Sequence, residues 1–163
     1  MDEQEIDAFW ADARVRAGLN PARAYGGPVV ADTMRPAAWS FGATPEQADE
    51  LLRLVLDGTK TATASARWDY DADQESLPEP GDLSIILDSR GHPRALIRTT
   101  EVAVVPFDRV GAEHAYAEGE GDRSLAHWRE VHRRFFTEHA EHGRGFSEDM
   151  PVVLERFRTL VTQ

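Results

Sequence analysis

Hydrophobic side chains recur at helical spacing in three stretches of the chain. Residues 3 to 17 carry apolar side chains three or four positions apart, which predicts an amphipathic helix. A second helix is predicted between Thr44-Pro45 and Gly58, because threonine caps helix starts, proline suits the first helical position and glycine ends helices. A third is predicted over residues 124 to about 142, where a serine provides the cap.

Other parts of the chain have the patterns of strands. From Thr59 to Arg67, side chains with hydroxyl or charged groups alternate with alanines, so a strand here places Thr63, Ser65 and Arg67 on one face. Three further strands are predicted from short apolar or alternating runs, over residues 83–87, 95–105 and 152–161.

The segments between these elements are rich in turn-forming residues. We expect an irregular connection over residues 18–36, a polar loop over 69–81 and a mixed stretch over 106–123. Roughly five strands and three helices, with strands adjacent in sequence, predict an α+β fold in which a small mixed β-barrel of about five to six strands is flanked by helices. The length of 163 residues fits a single domain spanning residues 1–163.

Composition narrows the possible functions. With 18 basic and 29 acidic side chains the formal net charge is −11, which disfavours general coating of long nucleic acids. The chain has no cysteine, so disulfides, thiolate zinc sites and thiol nucleophiles are excluded. The acidic N-terminus lacks the layout of a signal peptide, and no apolar run is long enough to span a bilayer. We therefore expect a cytoplasmic protein that does not contact membranes.

One lysine, Lys60, stands among seventeen arginines. A lysine can lose its proton in a suitable pocket, whereas an arginine stays charged. A regular strand would place Lys60 and Thr63 on opposite faces, but a bend after Gly58 can bring them together, so that a neutral Lys60 activates the Thr63 hydroxyl as a nucleophile. The alternative is a glycine cap followed by an ordinary strand, with Lys60 interacting favourably with the helix dipole.

Two glutamates lie in a short glycine-containing run just before the third predicted helix. Glu118 and Glu120 are separated and followed by glycines, so we expect a flexible acidic loop that can supply a general acid or base. The alternative is a solvated helix start, where acidic side chains interact favourably with the helix dipole.

Four histidines and several aromatic and basic residues are further candidates. The histidines do not share one helix face, so we expect no metal site and no cofactor; they are His127, His132, His139 and His142. Trp68 and Tyr70 can stack on a planar ring, although most aromatic side chains belong to a core. Arg129 belongs to the best candidate basic face, together with Arg133 and Arg134.

Several motifs together resemble the ASCH domain family of the PUA-like superfamily. The motifs are Trp39-Ser40-Phe41-Gly42, the Leu54-to-Thr63 run ending in Gly-x-Lys-x-x-Thr, Pro80-Gly81-Asp82-Leu83, Thr99-Thr100-Glu101-Val102, the AEGEGDRSL run from Ala117 to Leu125 with Trp128-Arg129, and Phe146 to Pro151. The resemblance covers about residues 39–161. Within the family, the sequence is similar to the bacterial subgroup that has this acidic glycine run. Residues 1–38, the first helix and the irregular connection, lie outside it.

The resemblance implies a PUA-like β-barrel with a cleft for a nucleobase or an RNA end. The family includes an amidohydrolase that removes the acetyl group of N4-acetylcytidine with a lysine, a threonine and a glutamate. Carried over, these residues are Lys60, Thr63, and Glu118 or Glu120. Many relatives have an arginine at the position of Ser65, and Arg67 is the candidate to replace it.

The resulting hypothesis is a small hydrolase that acts on an acylated nucleoside or a related nucleotide or RNA substrate. The alternatives are a non-catalytic module that binds RNA or a modified nucleotide, and a ribonuclease. We expect a nucleoside-like molecule or RNA as the partner, and a monomer or a homodimer.

Overall fold

The computed structural model describes residues 1–19 and 34–163. The α-helices in these residues are α1 (Glu3–Arg16), α2 (Pro45–Leu56), α3 (Arg67–Asp73), α4 (Ala112–Glu118) and α5 (Leu125–Glu138). The strands are β1 (Ala37–Trp39), β2 (Ala62–Ala66), β3 (Leu83–Leu87), β4 (Pro93–Pro106) and β5 (Pro151–Thr162). A short 3-10 helix covers Phe107–Arg109. Most of the predicted irregular connection, residues 20–33, lies outside the described residues.

The described strands form one mixed sheet in the order β1–β3–β4–β5–β2. β1 runs parallel to β3, whereas β3 pairs with β4 and β2 pairs with β5 in antiparallel fashion. The predicted α+β fold, with a small mixed β-structure of about five to six strands flanked by helices, is confirmed, and the described residues supply five strands. In the described residues, no helix has the length and apolar composition needed to cross a membrane.

The described residues group into two compact units, and the first contains residues 1–56, 83–98 and 159–163. Its core forms where the apolar face of α1, including Phe9 and Trp10, packs against strand residues such as Ile85 and Leu96. This packing explains why apolar side chains recur at helical spacing in residues 3 to 17, and the predicted helix is confirmed. The start of α2 is also as predicted, since the Gln47 amide donates to Thr44 Oγ1 at 3.2 Å.

The second unit contains residues 57–82 and 99–158. Its aromatic core includes Phe107, Trp128 and Phe136, and the alanines Ala64 and Ala66 of β2 face this core. The alternating partners on β2, Thr63 and Ser65, therefore lie on the opposite face of the strand. That the whole chain forms a single domain stays a prediction.

Two predicted boundaries are wrong, one at the end of β2 and one at the end of α5. Residues 67–73 form helix α3, so Arg67 does not continue the strand and the predicted polar loop starts as a helix. Helix α5 ends at Glu138 rather than near residue 142. In α3, Asp69 Oδ1 accepts hydrogen bonds from the amides of Glu141 and His142, at 2.9 and 3.1 Å. This long-range contact ties α3 to the chain just beyond α5.

Candidate active site

Lys60 is buried at the turn between α2 and β2. Gly58 has a φ of +84°, the left-handed conformation that its position at the end of the helix predicted. The turn is fixed to α4, because the Thr61 amide donates to the carbonyl of Ala117 at 2.8 Å. The Lys60 side chain is 2% exposed, and its Nζ donates to the carbonyl of Ala62 at 2.8 Å. A lysine that only complemented a helix dipole would be solvated, so its burial favours a specific role.

The structure brings both loop glutamates to this lysine. Lys60 Nζ lies 3.5 Å from Glu118 Oε1 and 3.9 Å from Glu120 Oε2. Glu118 is the last residue of α4, and Glu120 follows one glycine later. The side-chain nitrogen of Lys60 therefore lies within ion-pair distance of both carboxyl groups.

Glu118 is held in place by three nitrogen-bearing rings. His114 Nε2 lies 2.7 Å from Glu118 Oε2, and His132 Nε2 lies 3.3 Å from Oε1. The indole Nε1 of Trp128 also donates to Glu118 Oε2. Burial by itself raises the pKa of Glu118, but the charges of His132 and Lys60 and these hydrogen bonds outweigh it and hold the pKa well below its usual range. Glu118 is therefore an ionised anchor.

Glu120 has the opposite behaviour. Its side chain is 21% exposed, against 2% for Glu118. Burial and the neighbouring charge of Glu118 raise the pKa of Glu120, although the charge of Lys60 lowers it in part. Two adjacent carboxyls whose pKa values move apart are typical of an acid–base pair. Glu120 is the member that can take up and release a proton.

His132 completes the charge balance of the cluster. Its Nδ1 lies 2.9 Å from the carbonyl of Trp128, so Nδ1 carries a proton, while Nε2 faces the carboxylate of Glu118. Burial lowers the pKa of His132, but the charge and hydrogen bond of Glu118 raise it by more than burial lowers it. The net pKa is above its usual value. Its ring also stacks on Trp128, with ring centroids 4.2 Å apart. Both ring nitrogens therefore face acceptors, as in an imidazolium.

Sequence reasoning missed His114 and considered His132 only as a metal ligand. One local signal existed for His114, because a histidine four residues before a glutamate on a helix shares its face. For His132 no such signal existed, since it reaches Glu118 from a separate helix, α5.

The cluster also has the spacing of a possible cation site. One ligand atom each from Glu118, Glu120 and His132 lie within 4.8 Å of one another. Lys60 Nζ, however, already lies next to both carboxylates. A metal ion here has to compete with that ammonium group. Of the four histidines considered from sequence, His132 is the one that joins such a group in the described residues.

The acidic glycine loop is tightly packed, contrary to the expectation of a flexible loop. Gly119 has a φ of +76°, and a Cβ at this position would lie 2.7 Å from the carbonyl oxygen of Thr59. Arg123 donates to the same Thr59 oxygen at 3.4 Å and to the carbonyl of Tyr116 at 2.9 Å. The glycine thus allows the close approach that places Glu120 beside Lys60.

Thr63 and Ser65 lie on β2, and both are half-buried. Thr63 is paired with Glu155 of β5, and Ser65 Oγ lies 3.0 Å from the hydroxyl of Tyr70. Burial raises the pKa of Tyr70, although its bond with Ser65 lowers it in part. The Tyr70 hydroxyl thus already has a protein partner. That Thr63 and Lys60 act on the same reacting group stays a prediction.

The remaining predicted binding residues lie elsewhere in the second unit. Arg67 begins α3 and is exposed, with its Nε 4.0 Å from Asp71, so the idea that it shares the strand face of Ser65 is wrong. Trp68 packs edge-on against His142, and the Arg144 guanidinium lies 4.9 Å from the centre of its ring. Arg129 lines a surface groove along α5. Their roles in binding stay predictions.

Comparison with known proteins gives the family of this fold. The family model of the ASCH domain matches residues 37–161. The chain belongs to the ASCH domain family. The fold of an ASCH domain is a PUA-like, RNA-binding fold.

Two solved structures are similar along nearly the whole length of this ASCH-domain chain. Protein EF3133 from Enterococcus faecalis V583 is 34% identical, with a TM-score of 0.81, covering 96% of this chain and 88% of that one. An ASCH domain from Lactobacillus crispatus JV V101 is 31% identical, also with a TM-score of 0.81, covering 97% and 95%. Comparison with curated proteins gives no match.

Proposed function

We propose that this ASCH-domain protein is a hydrolase that removes the acyl group from the exocyclic nitrogen of an acylated nucleoside of the N4-acetylcytidine type. The observation that carries the proposal is the buried amine of Lys60 between two carboxyls with opposite pKa shifts. Perturbed titratable groups that are clustered in this way are typical of catalytic sites.

The first step is a proton transfer within the cluster. Lys60 gives one proton to Glu120, which leaves a neutral amine and a neutral carboxylic acid and keeps the net charge of the site unchanged. Glu120 is the acceptor because its pKa is raised, whereas the low pKa of Glu118 keeps that carboxylate ionised. The transfer therefore produces a general base and a general acid together.

Acyl transfer to Thr63 follows. The Thr63 oxygen attacks the acyl carbon while its proton passes to the Lys60 amine. The carbon–nitrogen bond then breaks, and the nucleoside nitrogen leaves with the proton of Glu120. The products of this half-reaction are the free nucleoside, an acyl ester on Thr63, a Lys60 ammonium and a Glu120 carboxylate.

Hydrolysis of the ester restores the site. The Glu120 carboxylate takes a proton from the attacking water, whose oxygen bonds to the acyl carbon. The ester bond to Thr63 breaks, the Thr63 oxygen recovers a proton from Lys60, and the carboxylic acid leaves. Lys60 is again an amine and Glu120 again an acid, as the cycle requires.

The charge of the chain favours a small substrate over a nucleic acid strand. A formal net charge of −11 repels a polyphosphate backbone but has little effect on a neutral nucleoside. A small nucleoside also matches a reacting centre made of a few buried side chains. The cytoplasmic location and the choice between monomer and homodimer belong to the proposal as well.

The direct test is incubation of the purified protein with a panel of N4-acylated cytidines, with liquid chromatography to detect released cytidine. We expect hydrolysis of the acetyl derivative, and a loss of at least about 100-fold in kcat for Thr63→Ala because the nucleophile is removed. Thr100→Ala is the matched control, since Thr100 is an exposed threonine of β4. Absence of turnover on every acylated cytidine, or full turnover by Thr63→Ala, contradicts the proposed mechanism.

A binding module for RNA is the second candidate, and the RNA-binding fold of the family favours it. Its surface would be the arginine-lined groove of α5, formed in part by Arg129, Arg133 and Arg134. Two of these arginines are engaged by acidic residues, since Arg133 lies 2.8 Å from Glu148 and Arg134 lies 3.9 Å from Glu130. Binding of a short RNA that weakens steeply with salt, without release of any product, supports this module instead.

A further inference from the structure

A further carboxyl group, that of Glu155, lies across the strand pair from the proposed nucleophile, Thr63. Glu155 is half-buried in β5 and stands directly opposite Thr63 of β2 in the antiparallel register. Directly opposed residues of an antiparallel pair point to the same face, with Cβ atoms about 4.5–5.5 Å apart. The carboxyl of Glu155 and the hydroxyl of Thr63 therefore lie on one face of the sheet.

Glu155 has few partners for a carboxyl group in this position. In the part of the chain that the structure describes, its one hydrogen bond comes from Thr99 Oγ1, at 3.3 Å, and no basic side chain forms an ion pair with it. The neighbouring charge that acts on it belongs to another carboxylate, Asp82. Burial raises the pKa of Glu155, and Asp82 raises it further, although the bond with Thr99 lowers it in part.

Such an arrangement costs folding free energy, because a partly buried carboxylate is stable only when cations or several donors compensate it. The other polar side chains of this face do not remove the cost, since Ser65 and Tyr70 are bonded to each other. Acceptor positions of Glu155 thus remain available to a ligand. Its protonated form adds an O–H donor beside an acceptor oxygen.

We propose that Glu155 recognises the base edge of the substrate, namely the exocyclic N–H and the adjacent ring nitrogen of an acylated cytosine. This inference rests on the proposed hydrolase function, in which Thr63 attacks the acyl carbon. That carbon is bonded to the exocyclic nitrogen, so the base edge has to lie within a few ångströms of the Thr63 oxygen. Glu155 is the carboxyl that stands across the strand pair from that oxygen.

The chemistry of the two partners is complementary. A carboxyl oxygen accepts from the exocyclic nitrogen of cytosine, as glutamate and aspartate do when they read that base in a nucleic acid. The protonated carboxyl can in addition donate to the ring nitrogen, which gives two parallel hydrogen bonds. A base without that ring nitrogen loses one of them.

The test compares N4-acetylcytidine with its 3-deaza analogue, which has a C–H in place of the ring nitrogen. For the unaltered protein we expect kcat/KM to favour N4-acetylcytidine by at least about tenfold. Glu155→Leu should reduce this preference to about threefold or less, mainly through KM. Glu155→Gln should keep most of it, because the amide retains an acceptor and a donor. Glu101→Leu, at an exposed glutamate of β4, is the matched control and should leave the preference unchanged.

A binding measurement without turnover separates this inference from the proposed function. Cytidine and 3-deazacytidine are titrated into the unaltered protein and into Glu155→Leu by calorimetry. If no acylated nucleoside is hydrolysed but cytidine is preferred and the preference disappears in Glu155→Leu, the hydrolase proposal fails and the role of Glu155 stands. If hydrolysis occurs with the same preference in Glu155→Leu, or if the unaltered protein does not distinguish the two nucleosides, the role of Glu155 is wrong. The comparison of cytidine with 3-deazacytidine on the unaltered protein tests the role of Glu155 even if the variant does not fold.

Discussion

At Lys60, burial and charge act together on a few side chains. The amine is removed from water, the carboxyls of Glu118 and Glu120 lie beside it, and His132 contacts Glu118 as well, so the protonation state of each group depends on the others. Glu118 has the contacts of an anchor, whereas Glu120 is partly exposed and has the raised pKa of a proton carrier. The roles of these two glutamates can be separated by substitution.

Replacement of Lys60 by arginine keeps the charge and removes the proton that can be released. Because an arginine stays protonated, we expect Lys60→Arg to lower kcat on N4-acetylcytidine by about 100-fold or more. Arg53→Lys, an exposed change in the opposite direction, serves as the control and should have the activity of the unaltered protein. Turnover within about threefold of normal in Lys60→Arg excludes lysine as the base.

The two glutamates should differ in what their loss affects. Glu118→Gln leaves His132 and Lys60 without their shared buried anion, so we expect a loss of about 3–5 kcal/mol in the free energy of unfolding, measured with urea. Glu120→Gln should lower kcat by about 100-fold with a change in stability of about 1 kcal/mol or less, since its carboxyl is partly exposed and has a raised pKa. The reverse pattern would exchange the roles assigned to the two residues.

The raised pKa of His132 predicts a pH dependence of stability. Burial lowers the pKa of the histidine, but the charges of Glu118 and Glu120 and the hydrogen bond with Glu118 outweigh this effect, so the histidine binds its proton more tightly in the folded chain than in the unfolded chain. Its contribution is therefore fully present below about pH 6.5 and is lost as the pH rises through the folded value. The difference in unfolding free energy between the unaltered protein and His132→Gln should shrink as the pH is raised towards 9, about the upper limit of this test. A difference that grows with pH contradicts this account.

At the scale of elements, the sequence predicted what short-range signals determine. The cap at Thr44, the turn at Gly58 and the strand over residues 83–87 follow from a few adjacent residues, and all are confirmed. Helix α3 and the end of α5 were missed, and here Asp69 accepts hydrogen bonds from amides 72 and 73 positions away, a contact that no local pattern reveals. Tertiary contacts of this kind override local propensity.

In the candidate site, too, the sequence indicated individual residues but not the contacts between distant ones. Lys60 was singled out by composition, and the glutamates by their position in a glycine-rich run, but Lys60 and Glu118 are 58 positions apart in the chain. No spacing rule predicts that such residues meet. The structure supplies that contact, and it also adds His114 and His132 as partners of Glu118.

The loop that carries Glu120 depends on a glycine. Gly119→Ala introduces a Cβ 2.7 Å from the Thr59 oxygen at a φ of +76°, so we expect a loss of about 1–3 kcal/mol in stability and a lower kcat as Glu120 shifts. Gly111→Ala is a matched control, because its φ is −94° and no atom lies within 4 Å of the added Cβ. Thermal unfolding and turnover of both variants check this prediction, which equal behaviour of the two would contradict.

At the scale of the whole molecule, net charge separates the two candidate functions. Hydrolysis of a neutral nucleoside releases no counterions, so we expect kcat/KM to change by about twofold or less between about 50 and 500 mM salt. Binding of a short RNA along the arginine groove should weaken steeply over the same range. Steady-state kinetics at several salt concentrations provide the measurement, and a strong loss of nucleoside hydrolysis with salt would argue for a charged substrate.

The carbonyl oxygen of Thr59, one residue before Lys60, is approached by Gly119 and is hydrogen-bonded by Arg123. The backbone on either side of Glu120 is thereby fastened to the residue that precedes the amine. The proposed acid, Glu120, and the proposed base, Lys60, are thus attached to the same short piece of backbone, so we expect a displacement of the loop to move both. The distance between the two proposed proton-transfer groups is therefore set by these local contacts, and we expect substitutions on the surrounding surface to leave it unchanged.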